Sequence, residues 1–473
     1  MSQTCSPTQP ADATDVSCRW PVLYLFASAL AWLFLGLALT LLASVKLNFP
    51  ELLAGCEWFT YGRVEAAARN ALMFGFSSQL GMGLALWLLA RLGDTTLVAP
   101  GLAFIGIVFW NVALTLGVSG ILFDGIGGLP WLEFPKQLEP IMGLAIFLLS
   151  LVGFATFAKR KGELVPSQWY AITALLALPV LFLTAQVALL FFPVRGGAQA
   201  VIGGWFSQGL QMLWLVPLAL AALYHFVPEV TGRSIRSPAL ATFGFWSSVI
   251  FASWTGVAGF VGGPLPAWLV TVSVAASVLL VIPIILISLN LHVGPPSKRT
   301  AAAGFAGLSV FSFSGVGLIF ALTTLRCSQS ILHFTQFNVA LRELFLFGFV
   351  APALFAGVYV VLPRLAGRAL PCNLAPKIHL ALTALGLVTV VFASAIGGWK
   401  QGWALADAHN SFALVSAQLK PWLLVHTLGL GVLAFGQVFL AANVLRLVFE
   451  CLKPLREPVT RLFFETRPVA AGK

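Results

Sequence analysis

Apolar residues fill this chain in long runs, separated by short polar breaks rich in Gly and Pro. The runs show no strand-like alternation, and they exceed a globular core helix in length. A membrane-spanning helix needs about 20 consecutive, mostly apolar residues. Twelve runs qualify: 22–46, 68–91, 97–122, 138–158, 168–192, 203–226, 238–260, 265–290, 302–324, 338–362, 376–398 and 418–446. Barrel strands are about half as long and alternate in polarity, so a β-barrel is excluded. The expected fold class is an all-α polytopic membrane protein with about twelve transmembrane helices.

The same pattern divides the chain into a polar N-terminal tail (1–20), a membrane domain (21–448) and a C-terminal tail (449–473). The first apolar run is too long for a signal-peptide core, so no cleavable signal is expected. GGPLP at 262–266 and GPP at 294–296 mark turns. Small residues within the runs, as in GFSSQLGMG at 75–83, permit close helix approach and a tight bundle.

Composition agrees with the pattern. Only 9% of the 473 residues are charged, against about 25% in an ordinary soluble domain. The net charge of +11 is no nucleic-acid signal, because the basic residues are segregated. With the N-terminus in the cytoplasm, 18 of the 27 Lys and Arg fall in inner segments or tails. The positive-inside rule then places both termini in the cytoplasm. The acidic segment FDGIGGLPWLEFPKQLEP, with Asp124, Glu133 and Glu139, falls outside. Of six cysteines, only Cys56 and Cys327 lie in outer segments. Two unpaired thiols are the preferred reading over a disulfide, and no CxxCH heme-attachment site is present.

Several short motifs, taken in order, carry a resemblance. They are GRVEAAARNALMFGF (62–76), LEFP (132–135), WFSQ (205–208) with YHFVP (224–228), SWTG (253–256), HFTQFNVALRE (333–343), VLPRL (361–365) and IHLALTALGL (378–387). From about residue 60 to 448 the chain resembles the catalytic subunit, subunit I, of cbb3-type cytochrome c oxidases, in the heme-copper oxidase superfamily. That resemblance implies a subunit I-like helical bundle in a bacterial inner membrane. It also implies partners among respiratory-complex membrane subunits, such as c-type cytochrome subunits or a true oxidase subunit I.

The resemblance also implies where ligands belong. Family members hold heme iron with histidines and copper with three imidazoles. Placed residue by residue, the two low-spin heme positions are Ala68 and Glu343 here, and the high-spin heme position is Leu341. The copper positions are Gln208, Ala258 and Gly259, and the cross-linked tyrosine position is Phe313. None of these carries an imidazole, and no HxH or HH pair exists among the six histidines. The expectation is a cofactor-free pseudo-oxidase subunit, with no heme, no copper and no catalytic residue, that scaffolds a respiratory complex. An active oxidase and a stand-alone twelve-helix transporter or proton pathway are the alternatives.

The remaining polar residues yield structural expectations. Arg342 is expected to reach outward to the membrane interface. Glu343, buried, is expected to pair with a basic residue of the second helix, near Arg69 and Glu65. Gln208 is expected to hydrogen-bond across helices. His333 and His379 are read as hydrogen-bonded helix-end residues, and His426 as structural. The loop 123–137 is a candidate docking surface. Phe313, Leu341 and the LFLFGF run at 344–349 are expected to collapse the pockets, leaving no cavity large enough for a heme.

Overall fold

The computed structural model describes residues 12–123, 127–292, 294 and 299–464, without the side chains of 452–464. Cys5, Asp124, Lys298 and the basic side chains beyond Arg446 therefore lie outside the described residues.

Each apolar run becomes a helix. The long ones are α1 (Ala13–Asn48), α2 (Tyr61–Leu92), α3 (Pro100–Phe123), α4 (Glu139–Ala158), α5 (Pro166–Phe191) and α6 (Gly197–Thr231). They continue as α7 (Pro238–Ala252), α8 (Ala267–Leu291), α9 (Ala301–Thr323), α10 (Gln336–Ala366), α11 (Ala375–Ala406) and α12 (Phe412–Cys451). Eleven are long and apolar enough to cross a membrane. The exception is α7, whose 15 residues span only about 22 Å at 1.5 Å per residue. The run read as 238–260 breaks at Ser253, where the chain turns through a 3₁₀ segment at Thr255–Val257. Helix also reaches into both expected tails, starting at Ala13 under the Asp12 cap and continuing to Phe464.

Burial separates the helices into two groups. The apolar windows of α2, α10 and α6 are 100%, 83% and 72% buried, whereas the other spans are half buried or less. Those three form the centre, and the rest surround them. The surrounding helices turn residues such as Phe147, Leu183, Val388 and Leu428 outward, as a lipid-facing surface requires.

Polar groups inside the bundle are cross-linked between helices. Trp110 donates to the Phe74 carbonyl at 3.0 Å, and Trp214 donates to Ser78 at 2.8 Å. His379 is fully buried and lies 2.8 Å from both Tyr359 and Gln437. It thereby ties α10, α11 and α12 together. Cys56 and Cys327 are both free.

All three central helices, with α5, widen into π-helical turns: Ala71–Ser77, Gln186–Phe191, Leu210–Leu215 and Leu344–Val350. Two of these turns run up to Pro217 and Pro352. A proline lacks the N–H for the carbonyl four residues back and crowds it, so a wider turn relieves the strain. In α2 the Ser77 hydroxyl does comparable work, donating to the Leu72 carbonyl at 2.9 Å. Such π turns recur at functional sites.

Close approach of α6 to the turn after α7 requires glycine. A Cβ on Gly256 would lie 2.6 Å from the Trp205 Cα, a backbone atom with nowhere to go. Gly256→Ala is therefore expected to lower the melting temperature of the detergent-solubilised protein. Gly203→Ala, whose Cβ meets nothing within 4 Å, should leave it unchanged or slightly raised. Equal melting of the two variants would contradict the packing described.

Candidate site: a cavity between the central helices

Between α2, α6 and α10 lies a cavity of about 920 Å³. Ala68, Leu341, Glu343, Gln208, Ala258, Gly259 and Phe313 all line it, as do Arg69 and Arg342. Positions spread over 275 residues of sequence thus face one space. This corrects the expectation of collapsed pockets, because the volume is that of a large organic-ligand site, about 300–1,000 Å³. The physical reason lies in the wall residues. Ala68, Ala258 and Gly259 add no bulk, and Phe313, Phe345 and Phe349 fill only the side on which they stand.

The cavity is polar at the end where α2 and α10 begin. There Glu65 holds two arginines: Arg342 Nη1 lies 2.8 Å from its Oε1, and Arg69 Nε lies 2.7 Å from its Oε2. The Arg69 Nε contact is off-line, so it acts as an ion pair rather than a directed hydrogen bond. Glu65 and Arg69 stand four residues apart on one face of α2, the spacing that favours such pairs. Arg69 also donates to Glu133 at 2.9 Å and lies 5.7 Å from the Trp131 ring centroid.

Glu133 sits in the loop before α4 and is 4% exposed. Its other oxygen accepts from Asn70 at 2.5 Å and from the Trp131 backbone at 3.2 Å. Burial raises its pKa above the ordinary carboxyl value even with Arg69 against it. Trp131, at a left-handed φ of 68°, donates from its indole to Ser207 at 3.0 Å. Leu132, Glu133 and Phe134 are buried. The loop read as a docking surface therefore turns its centre into the bundle and caps the cavity.

Three expectations for single residues change. Arg342 does not reach outward; it turns along the cavity wall to Glu65. Glu343 does not pair with Arg69. Its Oε1 lies 3.6 Å from Arg342, its sequence neighbour, and its buried Oε2 has no partner among the described residues. Adjacent helical residues diverge, but the long arginine side chain curls back far enough to serve both carboxylates. The Gln208 side-chain amide makes no hydrogen bond among the described residues and opens into the cavity instead. The involvement of Glu133 was missed, although LEFP quotes it; nothing in a loop sequence tells which way it folds.

Two histidines line the cavity. His333 stands beside Gly259, stacks on Phe334 with ring centroids 4.0 Å apart, and has its pKa lowered by burial. His426 in α12 contacts Ser44 of α1 through Nδ1 at 3.1 Å, while its buried Nε2 has no partner among the described residues.

Comparison with known proteins decides the family. The model for cytochrome c and quinol oxidase polypeptide I matches residues 21–432. The chain belongs to this family. It is 22% identical over 469 residues to the cbb3-type cytochrome c oxidase subunit CcoN1 of Stutzerimonas stutzeri, covering 93% of this chain and 97% of that one. It is 23% identical over 449 residues to cytochrome c oxidase subunit 1 of Rhodobacter capsulatus, covering 87% and 82%. A solved heme-copper terminal oxidase dimer has the same fold, with a TM-score of 0.68 at 11% identity, covering 91% of this chain and 84% of that one. The protein is thus a polytopic membrane member of the subunit I family.

The donor set of this family member does not fit heme or copper. The cavity offers two isolated imidazoles on separate walls, one beside Gly259 and one beside Ser44. No group of three His, Cys, Asp or Glu is placed to hold a metal ion among the described residues. Copper and heme iron favour imidazole and sulfur over the amide and carboxylate at 208 and 343.

The ion-pair chain generates a ranked prediction. Glu65→Ala leaves two arginines without their shared carboxylate and should cost about 1–2 kcal/mol, between the values for exposed and buried pairs, because all three side chains are partly exposed and solvent screens them. Glu343→Ala removes one long contact and an unpartnered oxygen, so its cost should be clearly smaller. Thermal melts of both variants in one detergent check the order; a larger loss for Glu343→Ala would refute the assignment of Glu65 as the shared partner.

Proposed function

We propose that this chain is a subunit I homologue that binds neither heme nor copper and serves as a structural membrane subunit of a respiratory oxidase-like complex. One observation carries the reading: the seven positions aligned with family ligands and the tyrosine line a single cavity, and none bears an imidazole or phenol. Small or hard-donor side chains there remove the chemistry while the helices around them keep the family fold. Function follows the site rather than the fold.

The proposed setting is a bacterial inner membrane, with both termini cytoplasmic as the basic inner segments favour. Its partners are membrane subunits of the same complex, among them c-type cytochrome subunits or a true oxidase subunit I. A transporter reading draws less support, since the Asp, Glu, Lys and Arg side chains lining the cavity among the described residues pair with one another around Glu65 and Arg342.

Purification from mild detergent tests this reading. The expected result is no stoichiometric b-type heme by pyridine hemochrome and no copper by metal analysis. Heme-staining cytochrome bands should be retained on affinity capture. A stoichiometric heme b spectrum would overturn the cofactor-free reading, and a chain that purifies alone would overturn the structural-subunit reading.

A further inference from the structure

The cavity has a definite polarity. Along α10 its wall runs from Gln336 to Phe349, a depth of about 20 Å at helical rise. The polar end carries Arg342, Glu343 and His426; the floor carries Leu280, Ile284, Phe313, Leu346 and Phe349. Protein interiors are close-packed, and a chamber of this size with an apolar floor suits an amphiphile better than bulk water.

Two polar atoms at the polar end lack partners among the described residues: Glu343 Oε2 and His426 Nε2. Their side chains are 4% and 7% exposed. Buried polar groups are hydrogen-bonded almost without exception, so these two cavity-lining side chains, with Arg342 beside them, mark the end at which a ligand's head would bind. The charges lining the cavity specify its character. Glu65 and Glu343 balance Arg69 and Arg342, and Glu133 stands behind Arg69. Among the described residues, no arginine is left over for a phosphate and no lysine lines the chamber.

We propose that this cavity binds a neutral amphiphile with a hydroxyl or carbonyl head, seated against His426, Arg342 and Glu343, with its apolar chain along the floor. A neutral glycerolipid and an isoprenoid quinone share this chemistry. The proposal rests on the reading that the chamber holds no heme or copper.

The test compares the wild-type chain with two filled variants, all extracted into native nanodiscs by a detergent-free polymer. Gly203→Trp places an indole where nothing lies within 4 Å of its Cβ, and Leu346→Trp fills the floor. Organic extracts are quantified by mass spectrometry. The wild type should hold a stoichiometric excess of one neutral amphiphile over both filled variants, with surrounding bilayer lipid equal in all three. Its identity tells a glycerolipid from a quinone. His426→Phe should lower retention roughly tenfold, the effect of leaving a head group unpaired.

Equal content in all three chains would overturn the proposal, and so would an excess of a charged phospholipid. Either result leaves the structural-subunit reading intact, since that depends on heme content and co-purification. An excess of tetrapyrrole would overturn both. Monodisperse elution of at least one filled variant shows that a loss of ligand is not a loss of fold.

Discussion

Glu65 binds two arginines at once, and the polar end of the bundle depends on it. Arg342 comes from α10, and Arg69 from α2. Beyond Arg69, Glu133 brings in the loop before α4. Charges held away from water are tolerable only when each has a partner. Here a single carboxylate supplies two of them and fixes the spacing between two cavity walls. Glu133 extends the same ladder to Asn70 and to the Trp131 backbone, which holds the loop inward despite the unfavourable φ at Trp131. The arrangement explains why an Arg–Glu dipeptide can sit inside an apolar helix.

The walls stay apart for a separate reason. A helix in a membrane satisfies its own backbone hydrogen bonds, so it gains nothing in hydrogen bonding by sliding into a neighbouring space. Part of the cavity wall is also held by a backbone contact rather than by adjustable side chains, where Gly256 meets Trp205. The π turns at Ala71–Ser77, Leu210–Leu215 and Leu344–Val350 set helix direction just past Ala68, Gln208 and Glu343. Prolines and a serine in the sequence hold two of those turns and the third, independently of what faces the cavity. Replacing the residues that face it therefore leaves the frame in place.

This division also governs what could be read from sequence. Helix positions were legible because run length and polarity determine them; only α7 fell short, where Ser253 and Gly256 end a run that composition alone would continue. The ordered motifs made the family legible too, and the positions they align do meet around one space. Side-chain direction was not legible. Arg342 could reach outward or inward by the same number of bonds, and only the position of Glu65 across the interface decides between them. Likewise LEFP at 132–135 reads equally well as a projecting loop or an inward cap. The cavity itself could not be read because the count of phenylalanines says nothing about where they stand: on one stretch of α10, Phe345 and Phe349 line the chamber while Phe347 packs away from it.

On the proposed reading, loss of metal ligands and loss of the space they occupied are independent events. Removing donors takes a handful of side-chain changes, and Ala68, Leu341 and Gln208 accomplish it without adding volume on facing walls. Closing the space would require bulk on at least two opposed surfaces, or a shift of helices that backbone contacts and π turns resist. The charged ladder opposes closure further, because moving α2 toward α10 would break the geometry in which Glu65 serves both arginines. On that reading, a chamber with one polar end and an apolar floor is what remains when such a bundle gives up its imidazoles. Its chemistry is set by what now faces it: balanced charge, two polar atoms without a partner among the described residues, and a wall about 20 Å deep at helical rise, polar at one end and apolar at the other.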